Sequence, residues 1–316
     1  LEDREQRVGI NDKFSEWRGV TSGVPQGSVL GPILFNLFIN DLEKGVNSEV
    51  EKFADDTKLL KIVKTTEDCE ELQKDLTKLS DWAKKWQMKF NVDKCKVMHI
   101  GKNNPNYTYN MTGANLATTN QERDLGVIVD SSLKTSMQYA VAVKKANRML
   151  GIIKKGIENK TVNILLPLYK SMVCPHLEYC IQKWFPHLKK DTLALEKVQR
   201  RATKMIRGLE GVPYEERLKT LGLFRLEKRR LRGNVLEVEK VNKEKLCTCS
   251  HNIRTRGHQM KLMGSSFKTN KRKFFFTQCT VNLWNSLPEE VVKARTTTGF
   301  KRELDKFMEV KSINGY

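Results

Sequence analysis

The sequence predicts an α+β fold, with an antiparallel sheet and packed helices over the first hundred residues and a mostly helical region after them. Three observations carry this. Short alternating runs flank the tetrad Phe53-Ala54-Asp55-Asp56 on both sides, as the arms of a hairpin do. Leu72, Leu76, Leu79, Trp82, Ala83 and Trp86 recur at steps of three and four, the spacing of a helix that covers one face of a sheet. From about Thr135 the pattern changes to longer helical segments.

Taken in order, Arg7–Ile10 and Phe14–Val20 read as short strands joined by Asn11-Asp12. The stretch Ser22-Gly23-Val24-Pro25-Gln26-Gly27-Ser28 then interrupts regular structure: glycine permits close approach and Pro25 stiffens the loop. A helix is expected from Ser28 to Asn40, with Pro32 tolerated in its first turn. Ile33, Leu34, Phe35, Leu37, Phe38 and Ile39 surround it, so it is expected to be buried rather than amphipathic. Val50–Phe53 and Thr57–Val63 form the hairpin arms. Thr65 with Asp68 resembles a capping box ahead of the striped helix. Lys96–Ile100 reads as a strand, Asn103–Gln121 as loops or a weak hairpin, and Leu125–Val129 as a strand at the edge of the layer. Helices follow at Tyr139–Lys154, Thr161–Met172, Asp191–Arg207 and Tyr214–Val241, then at Thr280–Ser286 and Thr298–Met308, with Pro288 between the last two.

The 316 residues carry 57 Lys plus Arg against 37 Asp plus Glu, a formal charge of +20. Its distribution is uneven: residues 1–100 hold 16 basic and 18 acidic side chains, residues 101–316 hold 41 and 19. A near-neutral front and a basic back half suit a protein that holds a polyanion, although a well-solvated basic surface has the same composition. Seven scattered cysteines lack the density of a secreted disulfide framework, so reduced thiols and an intracellular setting, nuclear or cytoplasmic, are expected. No signal segment opens the chain, and the longest apolar run, near Val29–Ile39, is too short to span a bilayer; no membrane partner is expected. A start at Leu1, inside a charged stretch, reads as a beginning in mid-domain.

Asp55 and Asp56 have two readings. Alone, an Asp pair is an ordinary hairpin turn. With a Gly/Pro/Gln loop about thirty residues earlier, the pair becomes a candidate ligand set for divalent ions that act on phosphate. Consecutive strand positions point to opposite faces, so Asp55 is taken as the direct ligand and Asp56 as the weaker one. Gly23, Pro25, Gln26 and Gly27, with Phe53 and Ala54, are candidates for the wall beside an incoming nucleotide and template base. Lys197, Arg200, Arg201, Lys204 and Arg207 lie mostly opposite Leu195, Val198, Ala202 and Ile206, which suits a helix that docks by one face and offers phosphates the other. Arg229 and Arg230, within Lys228-Arg229-Arg230, and Lys271-Arg272-Lys273 beside Phe274–Phe276 have the same two readings: phosphate contact or solvated surface. Cys247-x-Cys249-x-His251, with His258 downstream, has a gap tighter than structural zinc sites use, so zinc is not expected. His99, His176 and His187 have no acid or nucleophile partner pattern, and a hydrolase triad finds no support.

These segments together resemble the reverse transcriptase of LINE-type, jockey-like non-LTR retrotransposons. The resemblance runs through Gln6-Arg7-Val8, Val20–Leu42, Phe53–Leu59, then Trp82, Trp86, Phe90, Asn91 and Lys94, and Leu125-Gly126-Val127. It continues in Leu168-Tyr169, Pro175, Leu177-Glu178-Tyr179, Trp184, Leu195-Glu196, Gln199-Arg200-Arg201-Ala202 and Tyr214–Arg230, and ends in Arg256-Gly257-His258, Trp284-Asn285, Leu287-Pro288 and Phe300-Lys301. It implies a partial polymerase palm over residues 1–101, lacking fingers and the first catalytic strand. A palm edge or connector over 102–134, a helical thumb-like domain over 135–241 and a basic C-terminal region over 242–316 complete it. It further implies template-directed nucleotidyl transfer by two Mg2+ (or Mn2+) ions, with an RNA template, a DNA primer and deoxynucleoside triphosphates as partners, and an endonuclease elsewhere. Asp3 and Asp12 do not match the family's first catalytic carboxylate, so the chain alone is expected to be inactive. The alternative is a non-catalytic RNA- or DNA-binding remnant.

Overall fold

The computed structural model describes residues 3–21, 23–24, 27–184, 188–240, 248–249 and 258–313. They form two compact units, Leu1–Asn120 and Gln121–Tyr316.

The first unit opens with β1 (Arg4–Gln6), β2 (Gly9–Ile10), β3 (Lys13–Phe14) and β4 (Arg18–Val20), paired antiparallel as β1 with β4 and β2 with β3. Asn11 and Asp12 make the turn at positive φ (49° and 61°), a region these two side chains tolerate. The helix α1 (Leu30–Phe38) follows, its start satisfied by Ser28 Oγ, which accepts from the Gly31 N–H at 3.0 Å. The chain continues through β5 (Glu49–Phe53), β6 (Asp56–Leu60), α2 (Thr66–Lys85), β7 (Lys96–Val97), β8 (Asn110–Met111), β9 (Ala114–Asn115) and β10 (Ala117–Thr118).

The expected capping box starts α2: Thr65 Oγ1 accepts from the Asp68 N–H, and the Asp68 carboxylate accepts from the Thr65 N–H at 3.0 Å. Its stripe buries Cys69 and Leu79 against Leu42, Tyr109, Met111 and Leu116. The expected antiparallel sheet is, among the described residues, a set of separate two-stranded pairs, one of which, β7 with β10, is parallel. Strands of two or three residues make too few ladder bonds to recruit further neighbours. The surface that α2 covers is therefore built from the β8–β9 hairpin and the segment after α1.

A second departure concerns α1. Leu30 (64%), Ile33 (53%) and Leu37 (68%) are exposed, and only Gly31 is buried within the helix. The helix is held at its C-terminal end, where Phe38 meets the rings of Trp82 and Trp86 edge-on at 5.9 and 5.7 Å. No described element lies across the rest, so its all-round apolarity is not matched by burial.

The second unit begins with β11 (Gln121–Asp124) and β12 (Val127–Asp130), an antiparallel hairpin. Leu125 and Gly126 have positive φ (44° and 85°) and make its turn, so the expected strand starts two residues later than its sequence pattern. Helices α3 (Ser136–Gly156) and α4 (Val162–Leu168) lead through a π-helical turn, Tyr169–Val173, into α5 (Cys174–Glu178). Pro167 lies just before that turn and cannot donate a helical hydrogen bond. Then come α6 (Lys189–Lys204), α7 (Tyr214–Leu221) and α8 (Leu226–Lys240). The single helix expected over Tyr214–Val241 is thus two: Gly222 at φ +59° closes α7 in a left-handed cap. The strands β13 (Thr248–Cys249) and β14 (Leu262–Met263) pair, and α9 (Asn270–Lys273), α10 (Phe276–Asn285), α11 (Glu289–Val292) and α12 (Thr297–Ile313) end the described chain.

Two cores occupy this unit, one around Tyr139, Trp184, Leu195 and Val198, the other around Val235, Trp284, Phe300 and Leu304. The helix α8 contributes Leu226 to the first and Val235 to the second. Arg230, between them, is 1% exposed. Its guanidinium donates to the Leu177 and Trp184 carbonyls and lies 4.1 Å over the Trp184 ring. Arg230 is a core residue, which corrects its expected place at a phosphate. In the second core Asn285 exchanges two 2.9 Å hydrogen bonds with the Leu262 backbone, while Trp284 Nε1 donates to the Met260 carbonyl at 2.8 Å. Among the described residues, no helix is long and apolar enough to cross a membrane.

Two side chains lend themselves to measurement. Asp75, fully buried on α2, accepts from the Asn47 and Ser48 N–H groups, from Ser48 Oγ at 2.7 Å and from Lys78 Nζ at 2.9 Å. Burial alone raises its pKa, but those donors outweigh it and hold the carboxyl at about 2. A depressed carboxyl stabilises the fold above its unfolded pKa of about 3.9 and loses that contribution as pH falls toward 2, on the order of 2 kcal/mol. Asp75→Ala is expected to cost about 2–4 kcal/mol in urea unfolding at neutral pH and to flatten the loss of stability between about pH 4 and pH 2. Arg230→Met is expected to lower the thermal midpoint, since it takes the guanidinium donor from the buried Leu177 carbonyl at about 1–3 kcal/mol, while leaving the salt dependence of nucleic-acid binding unchanged.

Candidate active site and nucleic-acid interface

The tetrad sits at the tip of the β5–β6 hairpin. Phe53 pairs with Asp56 across the turn, so Ala54 and Asp55 are its two central residues. Ala54 adopts φ +50°, a left-handed conformation that costs a non-glycine residue about 1–2 kcal/mol. Such strain persists where surrounding structure imposes it, and it clusters at functional sites. The turn takes Asp55 out of the strand alternation, while Asp56 begins β6. Both carboxylates are exposed, and neither is paired with a side chain among the described residues.

Lys52 fixes the hairpin against α1. Its ammonium donates to the Ile39 and Asn40 carbonyls at 3.3 and 3.1 Å and faces Glu43 at 3.6 Å. A cation at helix C-terminal carbonyls is favourable, because the dipole is negative there. Sequence reading did not single out Lys52; its place one residue before Phe53 was the available signal. At the other end of α1, Gly23 and Gly27 take φ +83° and +80°, which suits glycine. Arg4 Nη2 donates to the Gly23 carbonyl at 2.8 Å and ties this loop to β1. Pro25 and Gln26 lie outside the described residues. The loop and the acid pair thus meet opposite ends of a helix about 14 Å long. Concavities of ≈ 660 Å³ beside Val8, Ile10 and Phe14, and of ≈ 590 Å³ beside Glu178, Arg229 and Arg232, contain neither Asp.

On α6 the apolar and basic faces separate as the sequence expects. Leu195, Val198 and Ala202 are buried, whereas Lys197, Arg200, Arg201, Lys204 and, just beyond the helix, Arg207 are exposed. Two of these cations are oriented by neighbours: Arg200 lies 4.1 Å over the Tyr214 ring, and Arg201 Nη1 donates to Asn147 Oδ1 at 2.7 Å. The inner face is more polar than its spacing suggested. Gln199, fully buried, accepts from Tyr169 Oη at 2.8 Å and donates to Tyr214 Oη and the Phe224 carbonyl, both at 3.0 Å. Glu196 accepts from Tyr214 Oη and from the Leu226 N–H at 3.1 Å. Burial pushes its carboxyl upward in pKa even against these donors.

Arg229 is held by Glu178, with Nε and Nη2 on the carboxylate at 2.8 and 3.0 Å, and Arg230 is interior. Neither is free to meet phosphate, because a guanidinium already paired in a half-buried or buried place must first break those bonds. Cys247 and His251 lie outside the described residues, and His258 is buried with Nε2 at 3.0 Å from the Trp284 carbonyl. Cys69, Cys95, Cys174, Cys180 and Cys279 are free thiols.

The family model for "Reverse transcriptase (RNA-dependent DNA polymerase)" matches residues 6–165. The "RNA-directed DNA polymerase from mobile element jockey" of Drosophila funebris is 30% identical over 240 residues, 70% of this chain and 25% of that protein. The jockey protein of Drosophila melanogaster is 28% identical over 237 residues, again 70% and 25%. The "Probable RNA-directed DNA polymerase from transposon BS" of Drosophila melanogaster is 28% identical over 246 residues, 70% and 26%. The chain spans about a quarter of the length of these relatives. No solved structure matches. With half of its length inside the family model, an acid pair at a hairpin tip and jockey-like relatives that match 70% of it, this chain belongs to the reverse transcriptase family, as a member of the jockey-like non-LTR retrotransposon group.

Proposed function

We propose that the chain is a fragment of an RNA-directed DNA polymerase in which Asp55 and Asp56 are the metal-binding pair. The observation that carries this is their position, adjacent at the strained tip of a hairpin inside the segment that matches the family model. Two exposed, unpaired carboxylates offer hard oxygen ligands of the kind Mg2+ or Mn2+ takes. When bound there, the ions supply activation of a primer 3′-hydroxyl and offset charge on departing pyrophosphate. Asp55 is the direct ligand and Asp56 the weaker one. Gly23, Gln26 and Gly27 wall the incoming deoxynucleoside triphosphate and template base, beside Phe53 and Ala54. The cations of α6 hold the backbone of the RNA template and DNA primer. On this reading residues 1–101 act as a partial palm, 102–134 as its edge, 135–241 as a thumb and 242–316 as a basic C-terminal region, in an intracellular protein.

Among the described residues no three His, Cys, Asp or Glu side chains gather as a metal site. Asp3 and Asp12 do not match the family's first catalytic carboxylate, and we infer that the chain alone does not polymerise. A second reading, a nucleic-acid-binding remnant without catalysis, is favoured by the five exposed cations at α6. Primer extension on an RNA template with Mg2+ or Mn2+ tests both. The expected result is no incorporation, together with binding to RNA and single-stranded DNA that weakens steeply with salt. Incorporation abolished by Asp55→Ala would overturn the inactivity, and absence of binding at low salt would remove the remnant reading.

A further inference from the structure

From Lys245 to Pro288 the sequence contains no Asp or Glu. Within that stretch Lys268, Arg272 and Lys273 are exposed, and none of the three pairs with a carboxylate among the described residues. Solvated surfaces normally interleave both signs. The same stretch leaves four large apolar side chains open: Met260 (51%), Met263 (53%), Phe267 (46%) and Phe275 (52%). Exposed apolar side chains are ordinary when scattered and informative when gathered.

Backbone contacts with α10 gather them. Trp284 Nε1 donates to the Met260 carbonyl, and Asn285 holds the Leu262 backbone. A Cβ on Gly264 would lie 3.5 Å from Gln278 Oε1. Residues 260–264 therefore run along α10 toward its N-terminal end. Leu262 is buried in the second core, so strand alternation turns Met263 outward. Phe275 immediately precedes α10, three residues before Gln278, and its carbonyl accepts from the Gln278 N–H at 2.9 Å. That spacing puts Phe275 and Gln278 on one side of the helix. Phe267 follows Gly264 by three residues, which keeps it within about 11 Å. The Arg272 guanidinium lies 5.2 Å from the Phe275 ring centre, and the Lys273 ammonium 5.5 Å from that of Phe274. Cations thus border the apolar side chains.

We propose that this surface docks an acidic peptide segment of another protein. Apolar side chains of the peptide cover Met263, Phe267 and Phe275, and its carboxylates meet Lys268, Arg272 and Lys273. The unpaired cations set the sign of the partner, because complementary charge selects it. The methionines set its kind. Thioethers adapt to the apolar side chains of a peptide, and Met, Phe and Arg are enriched in protein interfaces. A phosphate backbone would use the cations alone, and bases stack on aromatic planes rather than on thioethers. No part of this depends on the Asp pair or on α6.

The test is titration of the full chain into a fluorescent synthetic peptide in which Asp alternates with Leu and Phe. Peptides with Asn in place of Asp, or Ser in place of Leu and Phe, are expected to bind at least about tenfold more weakly. Met263→Thr combined with Phe275→Ser is expected to weaken the acidic peptide at least about tenfold. The same variant is expected to change the affinity for a single-stranded oligonucleotide less than about twofold, since it removes no charge. Met263→Leu, which keeps an apolar side chain, is expected to retain peptide binding. Both replaced side chains are exposed, and Ser is favoured at the N-cap position that Phe275 holds, so the fold is retained, as far-ultraviolet circular dichroism checks. No binding of the acidic peptide at low salt, an unchanged affinity in the double variant, or an equal loss for peptide and oligonucleotide would overturn the proposal. Binding to phosphatidylserine vesicles that the double variant abolishes would overturn it too, by assigning the surface to a lipid.

Discussion

Keeping Glu196 inside a helical core is the constraint on which the second unit turns. A buried carboxylate is expensive unless donors surround it. Here Tyr214 Oη and the Leu226 N–H supply them, the latter in the first turn of α8, where the helix dipole is positive. Gln199, one turn further along α6, meets Tyr169, Tyr214 and the Phe224 carbonyl. These bonds set which side of α6 faces inward more tightly than apolar contacts alone would. Tyr214, held by both, then serves as the shelf for Arg200. The positive outer face is a consequence of the polar inner one.

Asp75 has a comparable role in the first unit, gathering the segment after α1 onto α2 through Asn47 and Ser48. That segment leads into β5, so the hairpin bearing the acid pair is anchored from behind by Asp75 and from the side by Lys52. Among the described residues its tip, Asp55 and Asp56, is exposed. On α1, too, Leu30, Ile33 and Leu37 remain in the open. Covering such side chains is worth about 1.5–3 kcal/mol each, so a surface that packs there would stabilise both the helix and the site beside it.

Local features were legible in advance. The capping box at Thr65 and Asp68, the Asn11-Asp12 turn and the α2 stripe each depend on residues within a few positions of one another. The split of Tyr214–Val241 was misread, since Gly222 caps a helix only if the chain beyond it turns away. The burial of α1 was misread for the opposite reason: its apolar pattern describes a preference, and a helix is buried only where another surface meets it.

By itself, then, the sequence determined the tetrad Phe53–Asp56, the periodicities that make helices and hairpins, and the excess of cations in the back half. Tertiary structure decided what each charge is for. Arg200 and Arg230 look alike in sequence, but Arg230 lies against Leu177 and Trp184, about fifty residues away, and is enclosed, while Arg200 lies exposed over the face of the buried Tyr214 ring. The contact of α3 with α6 was equally hidden, because it joins residues 54 and 55 positions apart. A side chain's charge is a local property. Its access to water or phosphate depends on distant neighbours, and only the folded chain supplies those.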